Sequence, residues 1–166
     1  MTLEAQQDTG QEGRGQAPIS LIIPCKAEYV GLCRLLAGVV GARESLQAED
    51  IADLKLVVTE ACTCFLGGAD GISGPGAECG TGESPKALRV DIVTEDEAWE
   101  ITVSDPEGRY HIPSDSKCSP SGSGGLGLMI IEALVDSVQH IDSEADGSVI
   151  RLVKRVAPRS VADSRS

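Results

Sequence analysis

The segment Ala48 to Gly67, AEDIADLKLVVTEACTCFLG, repeats apolar residues at helical spacing. This spacing predicts a helix with one face in the core, formed by Ile51, Leu54, Val58, Ala61, Cys62 and Phe65. The opposite side is also mostly apolar around Glu60, which predicts a helix enclosed on both sides. A carboxylate in such surroundings usually has a partner or a task, so Glu60 is a candidate functional residue. The alternative is a half-exposed glutamate that is solvated near the helix end.

Composition limits the classes of function that the chain can have. Its 166 residues predict one domain with tails, and the 41% apolar and 2% aromatic content predicts an aliphatic core. The net charge of -12 opposes binding to nucleic acid or to anionic membranes, because both are polyanions. No apolar run approaches the length of a membrane span, and the N-terminus does not resemble a secretory signal. We therefore predict a cytoplasmic protein with no direct nucleic-acid or membrane partner.

The order of helical and strand patterns predicts the architecture. Residues 1–18 read as a disordered tail, 19–156 as one folded domain and 157–166 as a loose tail. Within the domain, the patterns predict strands at 19–23, 88–94, 99–104, 139–142 and 148–156, and helices at 28–40, 48–67 and 126–138. Such an order favours an α/β two-layer sandwich, with helices on one face of a mixed or antiparallel sheet.

Two further features are candidates for binding an anionic ligand. The run GSGGLGL at 122–128 leads directly into an apolar helix, and glycines at a helix N-terminus let an anion approach unpaired N–H groups. Asp105 ends a strand, where its carboxylate either accepts a hydrogen bond from a base edge or caps a turn. The segment between Asp105 and Gly124 is then a candidate lid over a nucleotide. A glycine-rich run on its own is more often a flexible loop.

The six cysteines do not form a metal motif. There is no CxxC pair, and the spacing matches no zinc framework. We interpret them as small buried hydrophobic residues or free thiols.

Arg34 lies on the side of its predicted helix opposite the apolar stripe, beside Gly31 and Gly38. It is either a solvated surface charge or an arginine that contacts a partner protein.

Together these segments resemble a known family. The runs IPCKAEYVGLCRLLAGVVG, DIADLKLVVTEACTCFL, ITVSDPEG and GGLGLMIIEALVDSVQ resemble the RsbW-type anti-sigma factors. Those proteins are serine-protein kinases of the GHKL, or histidine kinase-like, ATPase superfamily. The match spans roughly residues 20–156 and implies the GHKL two-layer sandwich.

The resemblance also implies roles for individual residues. Glu60 takes the position of the general base in a Glu-x-x-x-Asn motif, and Cys64 takes that of the Mg²⁺-binding asparagine. The position that reads the adenine amino group falls on Asp105, and a hydroxyl residue near adenine falls on Ser148. The phosphate-covering positions fall on Gly124, Gly125, Leu126 and Gly127. Arg34 takes the position that contacts the sigma factor and the phosphorylation substrate in relatives.

Two departures from the family pattern leave two functions open. A cysteine at position 64 removes a hard oxygen ligand that Mg²⁺ requires, and the glycine after the strand-end aspartate is displaced by one, to Gly108. The first function is an anti-sigma factor of the stress-response type that uses ATP to phosphorylate a serine of an antagonist protein. The second is a non-catalytic partner-binding module that has lost Mg²⁺-dependent ATP binding. Relatives form dimers, which implies a possible homodimer. The cysteine spacing disfavours a third reading, an unrelated metal or thiol enzyme.

Overall fold

A computed structural model describes residues 17–66, 85–95, 97–112 and 125–156. The elements are β1 (Ile19–Pro24), a 3-10 turn (Ala27–Tyr29), α1 (Val30–Arg43), α2 (Ala48–Thr63), β2 (Ala87–Thr94), β3 (Ala98–Ser104), α3 (Leu126–Leu134), β4 (Ser137–Ser143) and β5 (Gly147–Arg155). This is the predicted order of strands and helices. Most of the predicted N-terminal tail and the whole C-terminal tail lie outside the described residues.

The five strands form one antiparallel sheet in the order β1-β2-β3-β5-β4. The first strand, β1, lies at one edge of this sheet. Alternation along β2 and β3 places one set of side chains on the helix-covered face, and these are buried: Leu88, Val90, Ile92, Trp99, Ile101 and Val103. The predicted α/β two-layer sandwich is therefore confirmed, with an antiparallel rather than a mixed sheet.

The helices form the second layer, in which α2 packs against α1 on one side and α3 on the other. Its predicted core stripe is largely buried, and Val57 and Cys64 are buried as well. The enclosure is not complete, because Leu56 is 39% exposed. No helix within the described part of the chain has the length and apolar character needed to span a bilayer.

The predicted end of α3 is wrong. The helix stops at Leu134 rather than at Val138, because Val135 adopts an extended conformation with φ -118° and ψ 157°. The N–H of Asp136 then donates to the carbonyl of Val153, and β4 begins at Ser137 rather than at Gln139. Pairing with β5 gives these backbone groups partners that the helical spacing of the sequence did not reveal.

Lys154 joins the two layers at the end opposite the glycine turn of α3. Its side chain is only 12% exposed, and its Nζ donates to Asp53 Oδ2 at 3.1 Å and to the carbonyl of Leu134 at 3.1 Å. We expect Lys154→Met to lower the free energy of unfolding by about 2 kcal/mol, because hydrogen bonds to charged groups contribute roughly 1.5–3 kcal/mol. Urea denaturation measures this change.

The matched control is Arg151→Met, which removes an ion pair with Glu100 from the more exposed outer face of the sheet. Exposed pairs contribute at most about 1 kcal/mol, so this variant is expected to stay close to the native stability. Equal stability losses in the two variants would show that Lys154 is not a cross-link between the layers.

Candidate functional site

The last turn of α2 meets the first turn of α3 at Glu60 and Gly127. A side-chain carbon at position 127 would lie 2.6 Å from Oε2 of Glu60, so only glycine leaves room for the carboxylate. Glu60 is half-buried, and no group among the described residues donates a hydrogen bond to its carboxylate. The junction therefore presents a carboxylate that is close to a helix N-terminus and free to accept a proton.

The N-terminus of α3 has unused hydrogen-bond donors. Gly125, the residue that precedes the helix, is extended and provides no side-chain cap. The carbonyl of Gly125 accepts the N–H groups of Leu128 and Met129, whereas those of Leu126 and Gly127 have no acceptor among the described residues. Free N–H groups and the helix dipole at this end favour an anion such as a phosphate. These donors fit the phosphate groups of a nucleotide.

Asp105 lies at the end of β3 and is only 7% exposed. Its Oδ1 accepts the N–H of Glu107 at 2.9 Å, and its Oδ2 accepts those of Arg109 and Tyr110, both at 3.0 Å. The carboxylate therefore caps the following turn, which is one of the two roles that the sequence left open. A carboxylate accepts about four hydrogen bonds, so the described contacts leave one acceptor site unused, and a role of Asp105 in binding a base stays a prediction.

Ser148, which the sequence resemblance predicts near adenine, is completely buried at the start of β5. Its Oγ accepts the N–H of Ile112 at 2.8 Å and donates to Oδ1 of Asp142 at 2.8 Å. The same Oδ1 lies 2.8 Å from Nδ1 of His111, and the hydrogen bonds from His111 and Ser148 lower the pKa of Asp142. Ser148 thus holds one end of the segment that Asp105 holds at the other. No sequence pattern indicated His111 or Asp142.

Gly108 and Gly147 let the backbone of this segment pack against the β4–β5 turn. Both have positive φ, 64° and 65°, which favours glycine. A side-chain carbon at 147 would lie 2.6 Å from the carbonyl oxygen of Tyr110, and one at 108 would lie 3.1 Å from that of Ala145. The structure thus gives Gly108 a packing role, and its role in binding a cofactor stays a prediction.

An aromatic contact joins the segment held by Asp105 and Ser148 to the residues that follow α2. The rings of Phe65 and Tyr110 lie 5.9 Å apart between centroids, and Tyr110 belongs to the segment held by Asp105 and Ser148. Glu60 in the last turn of α2 therefore lies at the glycine turn of α3, and Phe65, just beyond the helix, contacts the segment held by Asp105 and Ser148. Leu126 is exposed at that turn, and Gly124 lies outside the described residues.

Comparison with known proteins gives this arrangement a family. The model of the histidine kinase-like ATPase domain matches residues 23–154, which is most of the chain. The chain belongs to the histidine kinase-like ATPase family. The matched region contains all the candidate site residues that the structure describes, from Glu60 to Ser148.

Curated relatives within this family are serine-protein kinases. The chain is 32% identical to the serine-protein kinase RsbW of Oceanobacillus iheyensis over 86% of this chain and 89% of the relative. It is 30% identical to RsbW of Bacillus licheniformis over 82% of this chain and 86% of the relative. A solved structure of the RsbU and RsbW domains of a Mycobacterium tuberculosis protein superposes with a TM-score of 0.56 at 18% identity. It covers 90% of this chain and 36% of that longer chain, and it supports the shared fold.

Cys64, which the sequence resemblance predicts at the family's metal-binding position, forms a disulfide. The prediction of free thiols is therefore wrong for Cys64, whereas Cys25, Cys33 and Cys62 are not part of a disulfide. The spacing of cysteines along the sequence does not show which of them the tertiary fold brings close enough to form a disulfide. Mg²⁺ prefers oxygen ligands, and a disulfide sulfur at position 64 supplies none.

Arg34 lies outside the site, on the exposed side of α1. That side is unusually apolar, since Leu32, Leu35 and Val39 are 46%, 61% and 59% exposed. Lys55 of α2 reaches the same surface, where it lines a groove together with Arg34 and Leu35. The sequence predicted the exposure of Arg34, but the position of Lys55 depends on the packing of α1 against α2 and could not be read from either helix alone.

Proposed function

We propose that the chain is an anti-sigma factor of the RsbW type that binds a sigma factor through α1. In this proposal it also uses ATP, bound between α2 and α3, to phosphorylate a serine of an antagonist protein in the cytoplasm. The observation that carries the proposal is the contact of the Glu60 carboxylate with Gly127, at the uncapped start of α3. Family membership and the names of the serine-protein kinase relatives support it.

Each group of the site has a role in this function. The N–H groups of Leu126 and Gly127 bind phosphate oxygens at the helix N-terminus. The remaining acceptor site of the Asp105 carboxylate binds the amino group of adenine, and Ser148 supports the segment beside the base. Glu60 accepts the proton of the serine hydroxyl as the serine oxygen forms a bond to the γ-phosphorus, while the bond between that phosphorus and the β–γ bridging oxygen breaks and ADP leaves. When bound, ATP supplies the phosphoryl group, and the chain contributes position and a proton acceptor.

A second function is favoured by one observation. Cys64 carries no oxygen ligand and is held in a disulfide, so the chain offers Mg²⁺ no asparagine at this position. In the second function, the chain keeps the fold and the α1 surface and regulates its partner by binding alone, without Mg²⁺-dependent ATP binding. Detection of phosphoserine on the antagonist after incubation with ATP separates the two functions.

Partner binding is tested at Arg34. We expect Arg34→Glu to weaken capture of the sigma factor at least about tenfold, because truncation or reversal of an interface arginine commonly costs 2 kcal/mol or more. The thermal unfolding temperature is expected to remain native, since Arg34 is exposed and makes no ion pair with a described residue. Pull-down and calorimetric titration measure the capture.

Arg43→Glu is the matched control, because Arg43 is an exposed cation at the end of the same helix and its one ion pair with a described residue is a long contact with Glu44 at 3.9 Å. Capture is expected to be nearly native in this control. Undiminished capture by Arg34→Glu would remove α1 from the proposed interface.

A further inference from the structure

Two side chains to which the proposed function gives no role tie the loop after β3 to the sheet. Oδ1 of Asp142, on β4, lies 2.8 Å from Nδ1 of His111 and accepts the hydroxyl hydrogen of Ser148, also at 2.8 Å. The hydrogen bonds from His111 and Ser148 lower the pKa of Asp142, so its carboxylate is ionised at neutral pH. An ionised carboxylate only accepts, so Nδ1 of His111 carries the hydrogen of the first contact. One charged oxygen thus receives donors from two separate elements.

Both donors lead back to the same stretch of chain. The Oγ of Ser148 accepts the N–H of Ile112 at 2.8 Å, and the backbone N–H of Ser148 donates to the carbonyl of Tyr110 at 2.7 Å. His111 lies between those two residues. Asp142 therefore holds this stretch by two routes, directly through the His111 ring and indirectly through the Ser148 hydroxyl. Hydrogen bonds that end on an anion are strong, and a chain of them polarises its members, so the two routes support each other.

The two routes differ in burial. The side chains of His111 and Asp142 are 48% and 54% exposed, and an exposed pair of this kind adds little to the stability of the fold. The hydroxyl of Ser148, by contrast, is completely buried. Loss of the Asp142 carboxylate would leave the hydrogen of this hydroxyl without its acceptor where water does not reach, which is costly. The hydroxyl would then have to turn, and its contact with Ile112 would change with it.

The same stretch of chain orients the carboxylate of Asp105. Its Oδ2 accepts the N–H groups of Arg109 and Tyr110, both at 3.0 Å. Tyr110 is therefore hydrogen-bonded through its N–H to Asp105 and through its carbonyl to Ser148. A shift of residues 109–112 away from β5 would remove two of the three described hydrogen bonds that fix Asp105. The orientation of Asp105 thus depends on contacts made at the far end of the loop.

From these contacts we propose that Asp142 and His111 are positioning residues that set the base preference of the nucleotide site. They hold residues 109–112 on the sheet, and this stretch keeps the unused acceptor of Asp105 turned toward the amino group of adenine. The junction of α2 and α3, where phosphate transfer takes place in the proposed function, lies outside this hydrogen-bond network. The inference rests on the proposed function and deepens it, because it assigns base recognition to two further residues.

The test compares ATP with GTP, which carries a carbonyl oxygen in place of the amino group. Calorimetric titration of the full chain is expected to show that Asp142→Ala binds ATP about tenfold more weakly than the native chain. Its affinity for GTP is expected to stay within about twofold, because a carbonyl oxygen gains nothing from the acceptor of Asp105. A variant that only loosens the fold would weaken both nucleotides equally. In phosphate transfer, KM for ATP is expected to rise about tenfold with kcat within about twofold of native.

Conservative variants separate the hydrogen bonds from the charge. Asp142→Asn keeps Oδ1 as an acceptor for both donors, and His111→Asn keeps an N–H donor near the position of Nδ1. Both are expected to bind ATP within about twofold of native, whereas His111→Ala, at a half-exposed residue, weakens binding about threefold because the Ser148 contact remains. Asp146→Ala is the matched control: Asp146 lies in the adjoining β4–β5 turn, where its Oδ2 accepts from Ser143 at 3.4 Å, and native affinity is expected.

The inference is overturned if the native chain binds ATP and GTP equally, or if Asp142→Ala leaves the ratio of the two affinities unchanged. It is also overturned if Asp142→Asn or Asp146→Ala loses as much ATP affinity as Asp142→Ala. Failure of the proposed function is seen separately. A native chain that prefers ATP through Asp142 but transfers no phosphate supports the inference and refutes the phosphate transfer. Phosphate transfer with an ATP affinity that does not depend on Asp142 gives the reverse result.

Discussion

Glu60→Gln is expected to lower the rate of phosphate transfer to the antagonist serine by about 10²-fold or more. General acid–base catalysis by a positioned side chain contributes typically 10²–10⁴-fold, and glutamine keeps the shape of glutamate without accepting the proton. The affinity for ATP is expected to be nearly unchanged, because in the proposed function Glu60 acts on the reacting hydroxyl rather than on the base. Single-turnover transfer, followed by mass spectrometry of the phosphorylated antagonist, separates the rate of transfer from binding.

The control for this variant is Glu49→Gln, at an exposed glutamate in the first turn of the same helix. It removes the same charge from α2 and is expected to transfer phosphate at the native rate. A Glu60→Gln variant that retains most of the transfer rate would show that another group accepts the proton.

Gly127→Ala is expected to reduce phosphate transfer by about 10²-fold while leaving the fold at least as stable. The added methyl group would occupy the position of the Glu60 carboxylate, which must move away. Because the displaced atom ends a flexible side chain, the movement costs the fold little, and alanine is favoured over glycine within a helix by about 0.5–1 kcal/mol. Misplacement of a catalytic group by about 1 Å is enough for a 10²-fold loss of rate.

Gly31→Ala is the matched control, since Gly31 is also the second residue of its helix and has no atom within 4 Å of the added carbon. It is expected to gain similar stability and, at saturating antagonist, to keep the native rate of transfer; saturation is needed because Gly31 lies on the proposed partner surface of α1. Thermal unfolding and single-turnover transfer are measured on both variants. A Gly127→Ala variant with native transfer would show that the contact between α2 and α3 does not position Glu60 for chemistry.

The periodic segments predicted the fold well, and the reason is physical. The helical spacing around Glu60 and the alternation of β2 and β3 both report which side chains face one common core, so burial follows the pattern. The end of α3 was predicted wrongly at Val135, because pairing with β5 decided the conformation of the residues that follow. The spacing of apolar residues within one segment does not indicate where a neighbouring strand lies.

Candidate site residues could be picked from the sequence where a residue type is unusual in its local surroundings. Glu60 stood out as a carboxylate on an apolar helix, and the glycines as an opening to a helix N-terminus. By contrast, nothing in the sequence placed His111 against Asp142, or Lys55 across Gly38, because these contacts join separate elements. The disulfide at Cys64 was missed for the same reason.

Titration of ATP with and without Mg²⁺ tests the central claim most directly, namely that the junction of α2 and α3 binds nucleotide without a metal ligand at position 64. Calorimetry is carried out on the native chain, on Cys64→Asn, and on Cys64→Ala, which breaks the disulfide without adding an oxygen ligand. We predict that the native chain and Cys64→Ala bind ATP with affinities that change less than about twofold on adding Mg²⁺. In Cys64→Asn, by contrast, Mg²⁺ is predicted to tighten binding about tenfold, or about 1.4 kcal/mol. Absence of ATP binding by the native chain, or tight binding that requires Mg²⁺, would contradict the account.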